Sequence, residues 1–109
     1  MIRVLLVENN PADAQHALDL LRETEKGQIE VVHVERLSSA LHRLGRESFD
    51  AILMDRTLVD THGLDTLDLI QAALGRMPIV VLGKKDDEAA DRQMIQHGAQ
   101  EVVIKDGST

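Results

Sequence analysis

Five short aliphatic runs recur along the chain: Ile2 to Val7, Ile29 to Val34, Ala51 to Met54, Ile79 to Leu82 and Val102 to Ile104. Each is of strand length, and most carry consecutive Val, Ile and Leu without polar alternation. A strand with one wet face alternates apolar and polar residues, so unbroken runs belong to strands buried on both faces of a parallel sheet. Such a sheet needs helices on two sides, and the segments between the runs have helical spacing. Ala14, Ala17, Leu18 and Leu21 fall at i, i+3, i+4 and i+7, and Leu37, Ala40, Leu41 and Leu44 repeat that template. A third helix over 64–74 sets Leu67, Ile70 and Leu74 on one side, and a fourth over 88–97 offers Ala90 and Met94.

The punctuation agrees. Asn10, Pro11 and Asp13 supply an N-cap, a proline at the first helical position and an acid in the first turn, while Gly27, Gly45, Gly75 and Gly98 each follow a helix. No repeat, low-complexity tract or linker interrupts the alternation. Residues 1–109 therefore read as a single α/β domain, a flavodoxin-like doubly wound sandwich of five parallel strands in the order 2-1-3-4-5.

Composition narrows the function. A net charge of −7, with Lys and Arg scattered, argues against nucleic acid as a partner of this segment. The absence of cysteine removes disulfides, thiolate catalysis and Cys-ligated metals, and makes a cytoplasmic home the natural expectation. No apolar run approaches the roughly 18 residues of a membrane span. With Phe49 the lone aromatic, ring stacking on a flavin, base or sugar has almost nothing to use. No G-x-G-x-x-G, G-x-x-x-x-G-K-[ST] or G-x-S-x-G occurs, so nucleotide-binding and hydrolase templates fail. A haloacid-dehalogenase-like phosphatase would need its nucleophilic Asp after the first strand.

In doubly wound sheets ligands bind outside the carboxyl ends of the strands, where strand order reverses. Glu8 and Asn9 follow strand one, Asp55 and Thr57 follow strand three, Gly83 follows strand four and Lys105 follows strand five. Two central strands thus each deliver a carboxylate to one rim. Like charges there repel unless a cation bridges them, and oxygen ligands without His or Cys suit Mg²⁺. Lys105 would complement phosphoryl oxygens as a point charge. The five histidines share no ligand spacing and read as surface or turn residues.

The segments Val4-Leu5-Leu6-Val7-Glu8-Asn9-Asn10-Pro11-Ala12-Asp13, Phe49-Asp50-Ala51-Ile52-Leu53-Met54-Asp55 and Gly98-Ala99-Gln100-Glu101-Val102-Val103-Ile104-Lys105 resemble, in that order and spacing, the receiver domain of two-component response regulators. Gly63-Leu64 and Pro78-Ile79-Val80-Val81-Leu82 match as well. The resemblance implies that Asp55 is the phosphoacceptor for a histidine kinase or phosphotransfer protein. It implies that Glu8 and Asn9, with Asp55 and the Thr57 backbone carbonyl, hold Mg²⁺, and that Lys105 contacts the phosphoryl group. Catalysis would extend no further than self-phosphorylation from a phosphodonor and slow autodephosphorylation, and a downstream output domain or protein would read the result.

Several working positions depart from the family pattern. Asn9 stands where an Asp is usual, which should weaken Mg²⁺ binding. Gly83 replaces the hydroxyl residue that grips the phosphoryl oxygen, Val102 replaces the switching aromatic, and Val59 and Asp106 replace common prolines. A pseudo-receiver acting as a phosphorylation-independent interaction module is the alternative. Only four residues follow Lys105, so the fifth helix of such a sandwich is expected to be missing from this chain, its sheet face covered by further sequence or by another chain, a second copy included.

Overall fold

The computed structural model describes residues 2–25, 28–56, 58, 63–74, 77–83 and 88–104. In chain order the elements are β1 (Ile2–Val7), α1 (Pro11–Glu25), β2 (Ile29–Val34), α2 (Leu37–Leu44), β3 (Ala51–Asp55), α3 (Gly63–Leu74), β4 (Ile79–Gly83), α4 (Glu88–Gln96) and β5 (Glu101–Ile104). The strands pair in parallel as β2-β1-β3-β4-β5, the order expected from the sequence. Three strands are one residue longer than the aliphatic runs. Asp55 pairs with Leu82, Gly83 with Ile104, and Glu101 with Val80. Backbone pairing extends a strand past the residues whose side chains announce it, so a carboxylate and a glycine close two of the strands.

The capping reading holds at α1, where the Asn10 side-chain oxygen accepts the Asp13 N–H at 3.0 Å and the Asn10 carbonyl accepts the Ala14 N–H at 2.9 Å. Central position decides burial. Leu5, Leu6 and Val7 on β1 are wholly enclosed, whereas β2 at the sheet edge buries only Val34. The β2 run is less enclosed than its aliphatic content suggests because one of its edges has no neighbouring strand in the sheet.

Among the described residues, the two faces of the sheet are covered unequally. On one face Leu5, Val7, Ile52, Met54, Ile79 and Val81 pack against Leu37, Ala40 and Leu44 of α2, Leu67 and Ile70 of α3 and Met94 of α4. Each of the Val, Leu, Ile and Met side chains contributes about 1.5–3 kcal/mol by leaving water. On the other face Leu6 and Leu82 join Ala14 of α1, with Ala17, Leu18, Val31 and Leu53 alongside. Val103, in register beside Leu82, is 44% exposed. The expected fifth helix concerns chain after residue 104 and lies outside the described residues.

At the amino-terminal rim of the sheet, Arg3 ties three segments together. Its guanidinium donates to Glu30 on β2 at 2.6 Å, to Glu47 at 2.8 Å and to the Ser48 carbonyl at 2.8 Å, and lies over the Phe49 ring. The Arg3 backbone N–H also donates to the Asp50 carboxylate at 2.8 Å. This cluster fixes the entry into β3 and leaves the carboxyl-terminal rim for chemistry.

Candidate functional site

The site is built by strand register. Val7 and Met54 are parallel partners, so the residues that follow them, Glu8 and Asp55, emerge side by side from the two central strands. The ladders continue past both strand ends: the Glu8 N–H donates to the Val34 carbonyl at 3.0 Å, and the Arg56 N–H donates to the Leu82 carbonyl at 3.0 Å. Alternation along the strands puts Glu8 and Asp55 on the Leu6 face, at the end where α1 begins.

Both acids are withdrawn from water, Glu8 completely and Asp55 to 7% exposure. Glu8 Oε2 accepts the backbone N–H of Asn9 at 3.0 Å, which folds the carboxylate back over its own turn. Two neighbouring buried carboxylates repel strongly in a medium of low dielectric constant. A divalent cation with a preference for oxygen relieves that repulsion, and two carboxylates with an amide residue next to Glu8 in sequence supply oxygen donors of that kind. The residues present therefore fit Mg²⁺ or Mn²⁺. Among the described residues no three His, Asp or Glu side chains gather as a metal site.

Gly83 is buried at the end of β4 and Val102 is half-buried on β5 beside Val81. Neither carries a hydroxyl or a ring. Thr57 and Lys105, the other two residues assigned to the site from sequence, lie outside the described residues, as do Val59 and Asp106.

One participant was not legible in the sequence. His33 lies exposed on β2, and its Nε2 is 2.9 Å from the Glu8 carbonyl oxygen. The only advance sign was its place one residue before the end of a strand adjoining β1.

Fold and site together define a doubly wound α/β domain with paired acids at its topological switch point. The model of the response regulator receiver domain family matches residues 4–109, and the chain belongs to that family, the signalling modules of two-component systems. It is 30% identical over 109 residues to the transcriptional regulatory protein MctR of Rhizobium johnstonii, covering 99% of this chain and 50% of MctR. The chain thus spans about half the length of that curated relative. Among solved structures, the receiver domain of the sensor histidine kinase PA1611 from Pseudomonas aeruginosa superposes with a TM-score of 0.76 at 28% identity, covering 95% of this chain and 84% of that one. That structure has a magnesium ion coordinated in its active-site cleft. The Mn²⁺-bound response regulator Rcp1 shares the fold with a TM-score of 0.83 at 22% identity, over 98% of this chain and 83% of its own. No helix among the described residues is long and apolar enough to cross a membrane.

Proposed function

We propose that this receiver domain accepts a phosphoryl group on Asp55 and passes the signal on through protein contacts. The observation that carries the reading is the pair Glu8 and Asp55, buried side by side at the carboxyl ends of β1 and β3. An Asp55 oxygen attacks the phosphorus of a phosphohistidine on a kinase or phosphotransfer protein. The P–O bond forms as the P–N bond breaks, the leaving imidazole takes up a proton, and an aspartyl phosphate remains. Water later attacks the phosphorus, releasing phosphate and restoring Asp55.

Glu8, Asn9, Asp55 and the Thr57 carbonyl would hold Mg²⁺, as the magnesium-bound PA1611 receiver domain suggests. When bound, the ion neutralises charge on the phosphoryl and carboxylate oxygens. Lys105, next in sequence after β5, would complement the phosphoryl oxygens as a positive charge.

Gly83 and Val102 lack the groups with which the family couples phosphorylation to loop movement. That observation favours a second reading, a pseudo-receiver that docks partners without being phosphorylated. Intact mass after incubation with acetyl phosphate and Mg²⁺ separates the two. An adduct on the wild type that is absent from Asp55→Asn supports the phosphoacceptor; no adduct, together with no Mg²⁺-dependent stabilisation, leaves the docking module.

A further inference from the structure

The peptide unit joining Glu8 to Asn9 is gripped at both ends. Its N–H donates to Glu8 Oε2 at 3.0 Å, and its carbonyl oxygen lies 2.9 Å from the Nε2 of His33. A carbonyl oxygen can only accept, so the His33 Nε2 carries the proton.

Strand geometry explains why a side chain comes to this oxygen. With the Glu8 N–H bonded to the Val34 carbonyl, the parallel ladder would next offer the N–H of residue 36 to the Glu8 carbonyl. However, β2 ends at Val34, and the chain turns into α2 at Leu37. His33 stands in register with Leu6, on the face from which Glu8 also projects, and supplies a donor at that point. The ring is exposed on an edge strand, so hydrophobic burial does not account for its presence.

Turning this peptide plane would carry the Asn9 N–H away from Glu8 Oε2 and swing the carboxylate off its heading. We infer that His33 is a positioning residue for the metal site, holding the Glu8–Asn9 peptide so that the Glu8 carboxylate is aimed before a cation arrives. Ligating carboxylates are tuned by the hydrogen bonds behind them, and removing such a bond typically weakens metal binding 10- to 100-fold. This inference rests on the reading of Glu8 and Asp55 as a cation site.

The test is Mn²⁺ binding, read from the electron paramagnetic resonance signal of the free ion, for the wild type, His33→Leu, His33→Gln and Asp55→Asn. His33→Leu should weaken binding roughly tenfold, and His33→Gln, which keeps an N–H donor, should restore most of it. The metal-free melting temperatures of the two His33 variants should agree. Binding by His33→Leu equal to the wild type, or by His33→Gln as weak as His33→Leu, overturns the inference and leaves the cation site standing. No Mn²⁺ binding by the wild type overturns both. Independently of metal, long-range ¹H–¹⁵N spectra of the wild type should show a protonated Nε2 on His33, and an unprotonated Nε2 would also overturn it.

Discussion

The Arg3 guanidinium carbon lies 4.7 Å from the centroid of the Phe49 ring, stacking a cation on the one aromatic side chain of the protein. Phe49 is buried under this contact and belongs to the larger apolar cluster. Phe49→Ala should cost about 3–5 kcal/mol of unfolding free energy, since it removes both the ring and its packing. Arg3→Gln should cost less, because the ring stays in place. Urea denaturation of both variants checks the order.

Acid should loosen the same cluster. Hydrogen bonds from Arg3 and then Arg43 hold the Glu47 carboxyl below its ordinary value of 4.5, and bonds to Glu47 and Glu30 raise Arg3. A carboxyl depressed in the folded state stabilises the fold above its unfolded pKa, and that contribution is lost as pH falls through the folded value. Melting temperature should therefore drop below about pH 4.5 less steeply in Glu47→Gln than in the wild type. Arg3 and Glu47 are each 29% exposed and in contact with solvent, so added salt should shrink the difference.

Two glycines that both follow helices should respond in opposite directions. Gly45 has a right-handed backbone with φ of −76°, and a Cβ there would meet only ordinary contacts at 3.7 Å. Gly45→Ala should stabilise by about 0.4–1 kcal/mol by restricting the unfolded chain. Gly98 has φ of 112°, and its Cβ would fall on the Gln71 side chain. Gly98→Ala should destabilise by about 1–3 kcal/mol. Thermal melts of the pair test the contrast.

Thr66 on α3 is fully buried, and its hydroxyl has no hydrogen-bond partner among the described residues. Replacing a buried unsatisfied hydroxyl with a methyl of similar shape removes a desolvation cost of about 1–3 kcal/mol. Thr66→Val should raise the melting temperature without altering Mn²⁺ binding, whereas a fall would show that the hydroxyl has a partner.

Asn9 is half-buried beside Glu8. Adding a third carboxylate to an oxygen-donor site strengthens divalent binding, so Asn9→Asp should tighten Mn²⁺ roughly tenfold. The same variant should be less stable than the wild type in EDTA, because three acids then crowd one rim. Paired titrations and melts with and without metal read both effects.

Much of this molecule was legible in the chain because its signals are local. Unbroken aliphatic runs, the Asn10–Pro11 helix start and the helical spacing of Leu37, Ala40, Leu41 and Leu44 depend on residues close in sequence. Strand order follows from such alternation together with general rules of chain connection. The nearness of Glu8 to Asp55 could also be anticipated, because both end strands that this topology makes central. What local signals could not supply was the environment of single side chains. Nothing beside Arg3 announces Glu30, Glu47 and Phe49 as its partners, and nothing beside His33 announces the Glu8 carbonyl, because residues 25 or more positions apart meet only when register is set. The sequence by itself determined the alternating architecture and the types of group delivered to the rim. The tertiary structure alone decided which acids are stripped of water and which peptide is held, since burial and hydrogen bonding are properties of packed neighbours and not of the chain that carries them.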